Sequence, residues 1–174
     1  MAATRISQEA LRRQLMRQSR WFAPRQHVWL KCTPHVHDRT WRIQWGLTAE
    51  GMDRLGDITK LERLVDKNNH ARQGHDVLAV AWEGYEWTEA DELYHTVWES
   101  VEGIERIASP VTGRLVHVAD SDTSVIDEDI IWAEVECQAD DVARAAAHWV
   151  DESAYLEWVN TLGPSKFSDP AETA

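Results

Sequence analysis

Apolar positions in the middle of the chain recur mostly at every second residue, and near both ends at every third or fourth. That pattern predicts a β domain flanked by helices. Residues 6–19 read as a helix: Ser7 suits the N-cap, Leu11 and Leu15 share a face, and arginines fill much of the rest. Residues 27–45 read as a hairpin. His27 to Leu30 is one strand, Cys32 to Arg39 holds the turn, and Thr40 to Trp45 alternates as the second strand. Gly46 ends it, and Thr48 can cap a short helix from Ala49 to Leu55. From Ile58 to Gln73 the spacing predicts a polar helix with a stripe of Leu61, Leu64 and Val65, broken at Asn68-Asn69 and Gly74.

Further strands are expected at 76–88 (with a turn at Glu83-Gly84), 93–101, 104–108, 114–118 and 130–136. Turns are expected at Glu102-Gly103 and at Ser109 to Gly113. Asp140 to Val159 predicts one closing helix with Val142, Ala146, Trp149, Val150 and Leu156 on its apolar face and Asp140-Asp141 at its positive end. Gly163-Pro164 stops it, and the last ten residues read as disordered. Many short strands with regular turns imply an antiparallel sandwich or flattened barrel.

Bulk properties narrow the function classes. The 174 residues suit one domain with modest appendages, and 43% hydrophobic content suits a packed core. No apolar run is long enough to span a bilayer, and no secretory signal is expected. Two cysteines, Cys32 and Cys137, make neither a disulfide framework nor a four-cysteine zinc site, so a reducing cytoplasm is the natural location. The net charge of −12 disfavours nucleic acid. Charge is also polarised: residues 1–25 hold six arginines against Glu9, whereas residues 89–152 hold 17 acids against three arginines. Such polarity suits docking between charged surfaces, or else a solvated face. Ten tryptophans raise the expectation of a protein partner. The basic N-terminal segment has three readings: a helix packed on the domain, a partner-binding arm, or a mitochondrial presequence.

Candidate chemistry is sparse. Cys32, His35 and His37, with His27 nearby, combine a soft thiolate with imidazoles, as zinc or copper ligands would, but the spacing matches no strong motif. Polar residues in a hairpin turn are the competing reading. His70 and His75 flank Gly74 and could join a metal site or sense pH, which loop histidines usually do not. The acids Asp120, Asp122, Asp127, Glu128 and Asp129 lack the glycine and glutamate spacing of a calcium loop and read as a solvated edge. No Gly-rich phosphate loop or G-x-S-x-G is present, and isolated Ser, His and Asp residues assemble no triad.

The ungapped stretch Glu99-Ser100-Val101-Glu102-Gly103 through Ser109-Pro110-Val111-Thr112-Gly113 resembles the segment of glycine-cleavage H-proteins that reads Glu-Ser-Val-Lys-Ala, then Pro-Val-Ser-Gly. His27 to Leu30 resembles that family's opening His-Glu-Trp strand. Gly46-Leu47-Thr48 and Leu55-Gly56-Asp57 resemble its Gly-Ile-Thr and Leu-Gly-Asp, and Asp151 to Tyr155 resembles part of its closing helix. The resemblance covers about residues 25–160. It implies a mainly β (α+β) lipoyl/biotinyl-type flattened barrel sandwich at 25–138; the arginine-rich helical pattern ahead of it reads as a basic N-terminal helical arm at 1–24. A C-terminal helix at 139–160 and a flexible tail at 161–174 follow.

Three departures bear on function. Glu102 stands where the resemblance places the lipoyl-lysine, with Ser100, Val101 and Gly103 as hairpin flanks. A carboxylate cannot form the amide that lipoate or biotin requires, so no lipoate and no other cofactor is expected. Glu102 also lacks the pocket of a catalytic acid and reads as a solvated turn residue or a charged contact. The second departure is an insertion of about 19 residues, expected to be helical over about 58–75. The third is a short acidic loop, Asp127 to Trp132, where the family has a Gly-rich segment. The expected function is a non-catalytic structural or adaptor subunit of a larger enzyme complex, with protein partners, no membrane and no catalytic residues. The alternatives are a carrier in glycine-cleavage or lipoate-related metabolism working through an unusual modification, and a small metal-binding protein using Cys32, His35 and His37.

Overall fold

The computed structural model describes residues 7–35, 39–55, 57–65, 68–90, 95–119 and 130–162. Among the described residues, nine strands form two antiparallel sheets. They are β1 (Trp21–Ala23), β2 (Val28–His35), β3 (Thr40–Leu47), β4 (Asp57–Arg63), β5 (His70–Ala71), β6 (Asp76–Ala90), β7 (His95–Ala108), β8 (Gly113–Val118) and β9 (Ala133–Gln138). One sheet has the order β1-β2-β3-β9-β8-β5, the other β4-β6-β7. Helices α1 (Gln8–Leu15), α2 (Ala49–Asp53), α3 (Ala139–Ala146) and α4 (Glu152–Val159) complete the chain.

One continuous apolar cluster draws on both sheets: Leu30, Ile43, Trp45 and Val135 from the larger, Leu61, Leu78, Val80 and Ile107 from the smaller. Strict alternation on β3 and β9 produces this, since residues two apart share a face. Leu11 and Leu15, both 1% exposed, bring α1 into the same cluster, where it meets α3. Ser7 accepts from Ala10 N at 3.0 Å, as an N-cap should. The basic segment is therefore packed on the domain from Gln8 onward, and Trp21–Ala23 serves as the edge strand of the larger sheet.

Three expected elements are corrected. The polar helix over 58–73 is instead strand β4 and the short β5. Pairing of Asp57–Arg63 with Glu83–Leu78 satisfies a ladder of β6 backbone groups, and a bulge after Ile58 turns Leu61 into the core. A three-residue stripe could not match that, and Leu64 remains 40% exposed. The single closing helix is two helices. Phe22 and Val150 exchange backbone hydrogen bonds at 2.9 Å, which holds Val150 extended. Asp151 then restarts the helix by accepting from Ala154 N at 2.8 Å.

The third correction concerns the turns at Glu83-Gly84 and Glu102-Gly103: β6 and β7 run straight through both, pairing Glu83 with Glu102 and Trp82 with Gly103. A Cβ at position 103 would collide with the Trp82 indole, so Gly103 is needed for that ring to lie across the strand. Glycine makes room for an aromatic neighbour here and supplies no turn. Among the described residues no helix is long and apolar enough to cross a membrane. The acids Asp120, Asp122, Asp127, Glu128 and Asp129, and residues 163–174, lie outside the described residues.

Candidate functional site

Glu102 sits within β7, seven positions beyond its start at His95, and opposite Glu83 of β6. The β6–β7 connection spans residues 91–94, which lie outside the described residues. The position equated with the carrier lysine is thus along a ribbon, with Ser100 and Val101 paired to Tyr85 and Gly84 rather than flanking a turn.

Two of the three candidate metal ligands, Cys32 and His35, do not converge. Strand β2 extends to His35, so Cys32 lies in it and not in a turn. Cys32 is buried while His35, three residues on, is exposed on the opposite face. His37 lies outside the described residues, and among those described no group of three His, Cys, Asp or Glu could hold an ion. Burial pushes the Cys32 thiol up to about 12. It also pushes Cys137 up, with help from Asp141 and from Cys32 itself. Both therefore remain protonated core residues, poor ligands and poor nucleophiles. His70 and His75 are exposed on either side of Gly74.

The structure gathers other residues that sequence spacing did not join. Pro24–Gln26 forms a 3-10 turn, after which His27 takes a left-handed conformation with φ of 53°. Its carbonyl accepts from Thr48 N at 2.8 Å. A Cβ on Gly51 would come within 2.7 Å of His27 Cβ, so only glycine lets α2 approach this closely. Thr48 Oγ1 caps α2 by accepting from Gly51 N at 3.0 Å.

Tyr155 of α4 stands 2.6 Å from Thr48 Oγ1 and 3.1 Å from His27 Nδ1, with its ring stacked on Phe22 at 4.9 Å. One proton arrangement satisfies every group: Thr48 donates to Tyr155, and Tyr155 donates to a neutral His27. The local electrostatics agree. Burial holds His27 below its usual value, Arg54 adds to the effect, and Glu50 opposes it. Burial likewise raises the Tyr155 phenol, against the Thr48 hydrogen bond.

A pH dependence follows. The unfolded chain titrates near the ordinary histidine value of 6.5, the folded one lower. Between those two values the unfolded state binds more protons, so stability falls as pH drops through that window and is regained above it. Denaturation midpoints at pH 7.5 and 5.0 should therefore separate more in the native chain than in His27→Gln. Equal separations would show that His27 does not contribute.

A groove of about 440 Å³ opens beside this network. It lies between the 3-10 turn, α2 and the last residues of β7, with Arg25, Arg54, Glu105 and Arg106 around Leu47, Leu55 and Ile107. Arg54 is tied to Glu50 at 2.8 Å. A second cavity of about 690 Å³ shares Arg25, Gln26 and Ala108 with the first and continues to Trp149 and Trp158. Positions 25, 54 and 106 are far apart in the chain, and no motif spacing relates them.

A scan against known protein families finds none whose profile matches the chain. A search of curated proteins also finds no match. Among solved structures, the chain is similar to a glycine cleavage system H protein from Mycobacterium marinum, with a TM-score of 0.50 and 16% identity. The match covers 83% of this chain and 98% of that one. The likeness is one of fold: a mainly antiparallel, H-protein-like flattened β-sandwich with terminal helices.

Proposed function

We propose that this chain is a non-catalytic binding subunit, a carrier-type fold that works without a lipoyl arm as a structural or adaptor component of a larger enzyme complex. One observation carries the reading: the sequence holds no lysine between Lys67 and Lys166. That stretch contains both Glu102 and the β6–β7 connection at 91–94. No choice of register therefore restores a lysine amine to this ribbon, and lipoate or biotin has no nucleophile there to join. The likeness of fold to an H protein supports a protein that meets partners through its surface, and the missing amine removes the cargo.

The test is gentle purification from the native cell, with the intact mass of the chain and the stoichiometry of whatever accompanies it. The expected result is an unmodified 20.0 kDa chain with enzyme subunits in fixed ratio. A monomer without partners would end the adaptor reading. A mass increment on the ribbon would instead support a carrier with an unusual modification.

A further inference from the structure

The groove beside His27 is locally cationic in a chain whose net charge is −12. Three guanidiniums line it, from Arg25, Arg54 and Arg106, against the single acid Glu105. Glu50 is already engaged with Arg54. The side chains of Arg25 and Arg106 make no ion pair or hydrogen bond among the described residues. Charges of one sign gathered at a concavity repel one another, and a bound anion relieves that repulsion. Guanidinium is also the group best shaped to grip a carboxylate or phosphate through paired hydrogen bonds.

The rest of the groove is apolar. Leu47, Leu55 and Ile107 form its wall, and the adjoining cavity leads on to Trp149 and Trp158. A volume of about 440 Å³ suits a small molecule. We propose that this groove binds a small organic anion, its carboxylate or phosphate head held between Arg25 and Arg106 and its apolar body laid against Leu47 and Leu55. The inference stands apart from the adaptor reading, because it concerns a small ligand and not a protein partner.

The experiment uses the full chain with three probes of equal length: hexanoate, hexyl phosphate and hexan-1-ol. Binding is followed by calorimetry and by the imidazole proton signals at constant ionic strength, so that general screening is held fixed. The expected result is saturable one-to-one binding of at least one of the two anions and none of the alcohol. The anion that binds identifies the head group. It should also raise the midpoint of the His27 titration, since Arg54 already acts on that ring.

The double variant Arg25→Gln/Arg106→Gln should weaken binding by at least about tenfold. Arg114→Gln, an exposed residue paired with Glu136, should leave it unchanged. Far-ultraviolet circular dichroism reports whether each variant is folded. If neither anion saturates, if the alcohol binds equally, or if the folded double variant binds as the native chain does, the proposal is overturned.

Discussion

Trp45→Ala should lower the stability of this protein by about 3–5 kcal/mol, out of the roughly 5–15 kcal/mol a domain of this kind possesses. Trp45 is fully buried toward the end of β3, paired with Leu30 on one side and Ala133 on the other. Its indole belongs to the cluster that includes Leu78 and Val80 of the smaller sheet, so truncation opens a cavity lined by both layers. The indole N–H has no hydrogen-bond partner among the described residues. Trp45→Phe should therefore cost less than half as much, since it removes volume but forfeits no bond. Urea denaturation distinguishes the cases by midpoint at unchanged slope. A loss below about 1 kcal/mol for alanine would mean that the ring is not enclosed between the sheets.

Gly103→Val should also be costly, by about 1–3 kcal/mol, because it overpacks a site already occupied by an aromatic ring. The new side chain would start inside the space of the Trp82 indole, which is buried against the core. Strand propensity acts the other way, favouring valine over glycine by up to about 1 kcal/mol. The two effects separate in a double-mutant cycle. In a Trp82→Ala background the collision disappears, and Gly103→Val should become neutral or stabilising. An equal loss in both backgrounds would mean that residue 103 does not lie across from Trp82. The strand would then turn at Glu102-Gly103, as the local sequence suggests.

Those two residues show how far local reading reaches. Glu-Gly is a fair turn signal in the local sequence. What local reading could not weigh is Trp82, 21 positions earlier, whose ring needs a strand neighbour without a side chain. The expected helix at 58–73 failed for a similar reason. Leu61, Leu64 and Val65 have helical spacing, but β6 offers six of the seven residues of β4 a partner in an antiparallel ladder. Strand parity likewise separates two of the metal candidates: Cys32 and His35 are three apart, which would join them on a helix or in a turn and places them on opposite faces of a strand.

Sequence alone was sufficient wherever the deciding interaction is a few residues long. Ser7 and Thr48 cap their helices, Leu11 and Leu15 face the core, and β2 and β3 form a hairpin. The ordered landmarks from His27 to Tyr155 pointed to the sandwich, and the absence of lysine from 68 to 165 is a property of the sequence under any fold. The tertiary structure decided where β6 and β7 continue, where the closing helix breaks, and which charges share a groove. Phe22 holds Val150 extended, and Arg25, Arg54 and Arg106 meet across three separate elements. Local preferences are worth about 1 kcal/mol or less per residue. A completed ladder or a buried aromatic ring outweighs them, and the residues that supply it lie too far along the chain for any local pattern to anticipate.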